Sequence, residues 1–116
     1  MYGNRARIGL IIPSGNTVCE PEMATLCPEG VTHYATRILF EPTQKELREM
    51  KDHIERAVLE LASENVSQII VFCCTVGSLI GKLGYDKEII DLIEKKTNTP
   101  AITTATAVKA ALYGVQ

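Results

Sequence analysis

Short apolar runs separated by amphipathic stretches of helical length constrain this 116-residue chain more than any other feature. Arg7 to Ile12 is one such run, ended by the turn-forming Pro13-Ser14-Gly15-Asn16, and it reads as a buried strand entering a loop. Thr32 to Phe40, rich in β-branched and aromatic residues, reads as a second strand, and Gln68 to Cys73 as a third. Between the second and third, Leu47, Met50, Ile54, Val58 and Leu61 recur at spacings of three and four. They give one apolar helical face behind a capping box of Thr43 and Glu46. Glu20 to Leu26 predicts a short helix behind the first loop. Asp86 is placed to cap a helix running to Lys96, with Ile89, Ile90 and Ile93 facing inward. Thr97 to Pro100 then reads as a turn, Ala101 to Thr103 as a fourth strand, and Ala105 to Tyr113 as a last helix. Strands alternating with helices predict a parallel sheet covered on both faces, within one α/β domain spanning residues 1–116.

Composition supports a globular chain, with 46% hydrophobic and 22% charged residues. The formal net charge is −2 and no basic run is longer than Lys95-Lys96, which argues against a nucleic-acid partner. Ile8 to Ile12 is too short for a signal-peptide core or a membrane span, so a cytoplasmic protein with no membrane partner is expected. In that compartment Cys19, Cys27, Cys73 and Cys74 are expected as free thiols. Cys19 and Cys27 stand eight apart with no histidine close by, which is not metal-ligand spacing. They read as small buried side chains. His33, His53, Glu20 and Glu22 read as surface or packing residues, the two glutamates being solvated or favourable at a helix start.

The chemistry-bearing residues collect where predicted strands end. In open α/β sheets ligands bind beyond the carboxyl ends of the strands. Ser14, Gly15, Asn16 and Thr17 follow the first strand there, and Cys74, Thr75, Val76, Gly77 and Ser78 follow the third. If the chain enters a helix or tight turn after Cys74, the amides of Thr75 to Ser78 would bind an anion such as a carboxylate. They would also lower the Cys74 thiol pKa. Period-two alternation sends Cys73 and Cys74 to different sides, leaving Cys73 to packing and Cys74 as candidate nucleophile or acid/base.

Together these residues resemble a known family. Ile-Gly-Leu-Ile-Ile-Pro-Ser-Gly-Asn-Thr-Val-Cys-Glu-Pro-Glu-Met at 8–23 resembles the amino-terminal motif of maleate cis-trans isomerases and arylmalonate decarboxylases, of the aspartate/glutamate racemase superfamily. Residues 74–81 resemble the first cysteine motif of the maleate isomerase branch, and 103–108 the stretch that closes its first domain. The resemblance implies half of a two-domain α/β enzyme that uses no metal and no organic cofactor, with one catalytic cysteine from each domain. It implies Cys74 as the thiol, and Asn16 as a donor to a carboxylate of a small dicarboxylate substrate. Thr75 and the following amides would stabilise enediolate charge, and Ser14 and Thr17 would shape the pocket.

Two departures from the family pattern stand out. Gly15 and Val76 occupy positions where serine is common, leaving only backbone donors there. The chain also ends at Gln116, where the second domain of the family is expected to begin, so the opposing thiol is expected from elsewhere, a homo-oligomer being one source. Alternatives are a non-catalytic carboxylate-binding domain or truncated remnant, an arylmalonate-type decarboxylase, an amino-acid racemase, and a redox protein using Cys73 and Cys74. Adjacent cysteines form only a strained disulfide, which disfavours the last.

Overall fold

One of the two central strands of the sheet is built from the first apolar run of the sequence. The computed structural model describes residues 2–39, 44–63, 66–73, 85–104 and 107, those at 44–51, 85 and 86 by backbone alone. Strand β1 (Ala6–Pro13) leads into helix α1 (Cys19–Leu26), β2 (Val31–Ile38), α2 (Gln44–Ala62), β3 (Ile69–Phe72), α3 (Tyr85–Thr97) and β4 (Ala101–Thr103). The strands form one parallel sheet in the order β2-β1-β3-β4. Leu10, Ile11 and Ile12 are all buried, as expected of a strand covered on both faces.

Alternation divides the sheet's side chains between two faces. Ile11 on β1, Ile38 on β2 and Ile70 and Phe72 on β3 join a core with Ile54, Ala57, Val58 and Leu61 of α2 and Ile89 and Ile93 of α3. Each isoleucine or leucine buried there contributes roughly 1.5–3 kcal/mol. Leu10 and Ile12 point to the other face. Right-handed crossovers put α1 on that face, because β1-α1-β2 and β2-α2-β3 travel in opposite directions across the sheet. Helix α1 buries none of its own residues, and Leu26 is 74% exposed.

The four expected strands and the first three expected helices are present, with ends shifted by at most two residues. Helix α3 starts at Tyr85, which places Asp86 inside its first turn rather than at the cap. The turn after α3 is made by Asn98, at φ 55°, whose amide donates to the Glu94 carbonyl at 2.8 Å. Asparagine tolerates this left-handed conformation at a helix C-terminus. Cys19 and Cys27 are half-buried rather than core residues, since they flank a helix that lies on the surface. Among the described residues Cys19, Cys27 and Cys73 are free thiols. Thr43 and nearly all of the expected last helix lie outside the described residues, as do the side chains of Leu47 and Met50. No helix among the described residues is long and apolar enough to cross a membrane.

Gly9 sets how closely the segment before β3 approaches the middle of β1. A Cβ at this position would lie 2.6 Å from Ser67 Oγ, 3.1 Å from Ser67 Cβ and 3.3 Å from Leu61 Cδ1. Ser67 Oγ is itself buried with no hydrogen-bond partner among the described residues. Even with that hydroxyl rotated away, Ser67 Cβ remains in the way. Gly9→Ala should therefore destabilise the protein by about 1–3 kcal/mol, the usual cost of overpacking. Urea denaturation checks this, and an unchanged midpoint would show that the backbone around Ser67 can yield.

Candidate active site

Strand order creates a crevice at one place. From β1 the chain moves to β2 on one side, then crosses back to β3 on the other, so the connections diverge at the carboxyl ends of β1 and β3. These two strands are neighbours, with Ile11 in register with Phe72. The Cys73 amide donates to the Ile11 carbonyl at 2.9 Å, placing Cys73 beside the end of β1. The loops that carry the two sequence motifs therefore leave adjacent strands from the same end of the sheet.

The first loop is held by its own backbone and by Asn16. The Ser14 amide donates to the Ile38 carbonyl at 2.8 Å, and the Asn16 amide to the Pro13 carbonyl at 3.0 Å. Asn16 Oδ1 accepts the amides of Val18 and Cys19, both at 2.9 Å, at the start of α1. Two N–H donors on one atom identify it as the oxygen, so the amide NH2 points the other way. That NH2 has no partner among the described residues. Asn16 thus joins the loop to the helix through its oxygen and offers two donors through its nitrogen. Ser14 and Thr17 are exposed beside it. A Cβ on Gly15 would meet nothing within 4 Å, so packing does not require glycine there.

The second loop is described only at its first residue. Cys73 is half-buried and its Sγ lies 3.5 Å from the Val71 carbonyl. It faces away from the α2–α3 core, as alternation from the buried Phe72 requires, toward the face where Leu10 and Ile12 are buried, and it is itself half-buried there. Cys74, Thr75, Val76, Gly77 and Ser78 lie outside the described residues. Thr104, just past β4, donates through Oγ1 to the Phe72 carbonyl at 3.2 Å and secures the end of β3.

Reading along the chain missed Arg37. It projects from edge strand β2 toward the loop after β1. Its guanidinium donates to the Asn16 carbonyl at 2.7 Å, to the Pro13 carbonyl at 3.4 Å and to Glu20 at 2.9 Å. Glu20 is therefore ion-paired rather than simply solvated. Arg56 of α2 donates to the Arg37 carbonyl at 2.8 Å and to Glu60 at 2.6 Å, while Thr36 donates to Glu60 at 2.9 Å. One polar chain thus runs from α2 across β2 to the candidate site. An arginine at the end of a predicted strand was the only signal, and its target depends on strand order.

No protein-family model matches the chain. Its fold is that of a parallel α/β domain seen in two groups of solved structures, the maleate isomerases and arylmalonate decarboxylases. A maleate isomerase of Pseudomonas putida is 29% identical over 92% of this chain and 48% of its own length. One from Nocardia farcinica is 32% identical over 67% of the chain and 33% of its own length. Among solved structures, a Pseudomonas putida maleate isomerase variant with maleate superimposes with a TM-score of 0.72 at 26% identity, over 93% of this chain and 48% of that one. Arylmalonate decarboxylase, at 21% identity and a TM-score of 0.68 over 92% of this chain and 45% of its own, shares the fold. The chain is homologous to the maleate isomerases and spans about half the length of the Pseudomonas enzyme or less of the others.

Glu60 gives the polar chain a pH dependence. The Thr36 hydroxyl, then the Arg56 guanidinium, hold its carboxyl below its ordinary value of 4.5. A depressed carboxyl pKa adds stability above the unfolded value, which is lost as pH falls through the folded one. Wild type should therefore exceed Glu60→Gln in melting temperature at neutral pH, by on the order of a few degrees for so exposed a group. The difference should narrow as pH falls below 4.5 and through the depressed folded value. Thermal melts across pH 3–7 check this, and a gap that does not narrow with acid would assign the effect to something other than ionisation.

Proposed function

We propose that this chain supplies one half of a cofactor-independent cis–trans isomerase site for a small dicarboxylate such as maleate, with Cys74 as nucleophile. The observation that carries the reading is the juxtaposition of the Asn16 loop and the strand leading to Cys74 at one switch point, in a homologue of maleate isomerases. A relative from Nocardia farcinica has been solved with a covalently bound succinylcysteine intermediate, which makes sulfur–carbon bond formation the natural chemistry to test here.

In the proposed reaction the Cys74 thiolate adds to one alkene carbon of maleate, forming a C–S bond. The displaced π electron pair moves onto the neighbouring carbon and into its carboxylate as an enediolate. The former double bond, now single, rotates. The electron pair then returns, the C–S bond breaks, and fumarate leaves with the thiolate regenerated. Asn16 Nδ2 would donate to one carboxylate. Thr75 and the amides of Val76, Gly77 and Ser78 would stabilise the enediolate, as an oxyanion hole does. Ser14 and Thr17 would shape the pocket beside Asn16.

The domain at 1–116 corresponds, in this reading, to the first domain of a two-domain enzyme, acting in the cytoplasm. The opposing thiol and the second half of the carboxylate clamp come from outside these residues, with a second copy of the chain as one source. Positioning supplies many kcal/mol of catalysis, so an unpaired half-site would be severely impaired. A second reading is a carboxylate-binding domain without turnover, since the Asn16 side-chain amide can donate to a carboxylate with or without an opposing thiol.

Conversion of maleate to fumarate, followed by ultraviolet absorbance, separates these readings. Specific activity should rise with protein concentration as copies associate, and Cys74→Ala should reduce it to background. Turnover that survives Cys74→Ala would remove the thiol from the mechanism. Maleate binding without turnover at any concentration would favour the binding domain.

A further inference from the structure

Asn16 can present its amide to a ligand only while the loop around it keeps its shape, and that shape has an external support. Four polar groups of Asn16 can be followed. Its N–H donates to Pro13, its C=O accepts from Arg37, and its Oδ1 accepts from Val18 and Cys19, which leaves Nδ2. Arg37 lies in register with Ile12, on the strand next to β1, and alternation turns it toward the face occupied by α1. Its guanidinium reaches both carbonyls of the loop's tight turn and the carboxylate of Glu20 on α1. The fork shape of arginine permits all three contacts at once, which a point-like ammonium does not.

Arg37 and Glu20 are 41% and 44% exposed, so as a surface ion pair alone they would matter little to stability. The bonds to carbonyls are different, because they are charge-assisted and tie three elements to one loop. Behind Arg37, its own carbonyl is held by Arg56 from α2. The guanidinium is thus anchored on the strand side, and on the loop side its three bonds among the described residues all go to the loop and to α1.

Resting on the reading of Asn16 as a carboxylate donor, we propose that Arg37, braced by Glu20, is the positioning residue that fixes the orientation of the Asn16 amide. It acts through the loop and touches no substrate. Without it, the Pro13–Asn16 turn keeps its internal hydrogen bond and the Ser14 bond to Ile38 but loses its tie to α1 through Arg37, and Asn16 Oδ1 and Nδ2 are free to exchange places between the α1 amides and the ligand.

The test combines amide hydrogen exchange with maleate titration on the full chain, comparing wild type with Arg37→Ala, Arg37→Lys, Asn16→Ala and the Arg37→Ala/Asn16→Ala double variant. In Arg37→Ala, protection of the Val18 and Cys19 amides should fall about tenfold, the scale of losing a charged hydrogen bond. Protection of the Ile70 amide, which is bonded to Pro100 in the sheet, should stay unchanged. Arg37→Lys should lie between wild type and Arg37→Ala. Maleate affinity should fall about as far in Arg37→Ala as in Asn16→Ala, and the double variant should bind no more weakly than Asn16→Ala alone. Unchanged protection at Val18 and Cys19 would overturn the proposal, and so would losses in affinity that add in full. Failure of wild type to bind maleate would instead overturn the isomerase reading, while the exchange rates still decide for or against Arg37.

Discussion

The hydrogen bond from the Cys73 amide to the Ile11 carbonyl, 2.9 Å long, is the last rung from β3 to β1 among the described residues. The candidate site depends on it. Parallel strands in this register end side by side, so the loops after Pro13 and after Cys73 leave from one edge. A slip of one residue would turn Phe72 out of the α2–α3 core and move the cysteines relative to Asn16. The buried Ile11, Ile70 and Phe72 oppose such a slip, because each would lose its core contacts. Packing of the core thus specifies the geometry of the polar end.

Much of this was legible along the chain because the signals were periodic. The apolar face of α2 at Ile54, Val58 and Leu61 followed from spacings of three and four, and the four strands from their apolar runs. The likeness to maleate isomerases rested on short motifs at 8–23 and 74–81, and the similarity to solved structures agrees with it. Pairing between distant segments was not legible. Strand order, and with it the adjacency of the two loops, is a property of the folded sheet. Arg37 shows the consequence, since its partners at Pro13, Asn16 and Glu20 lie 24, 21 and 17 residues away. Cys19 and Cys27 failed for a related reason. Small thiols are usually buried, but α1 lies on the surface and leaves them half-exposed.

Asn16 illustrates how one side chain serves both fold and site. Its oxygen substitutes for a missing cap, since Val18 at the N-cap position makes no side-chain hydrogen bond. Using the oxygen in this way orients the nitrogen without further contacts, so a structural bond becomes the source of a directed donor. Gly15 beside it has no positive φ and, among the described residues, no neighbour within 4 Å of where a Cβ would stand, so neither feature calls for glycine. Such a half-site offers few donors, and weak affinity for a dicarboxylate, about millimolar, is the expectation until an opposing half completes it.

Maleate titration of the isotopically labelled chain, followed by amide chemical shifts, tests the joint site most directly. The account predicts perturbations clustered at residues 14–18 and 73–78, including the Asn16 side-chain amide, all saturating together. A cavity of about 400 Å³ lies at the other end of the sheet, lined by residues including Tyr2, Cys27 and Thr32. Shifts confined to that end would contradict the account, because they would place the ligand away from both loops.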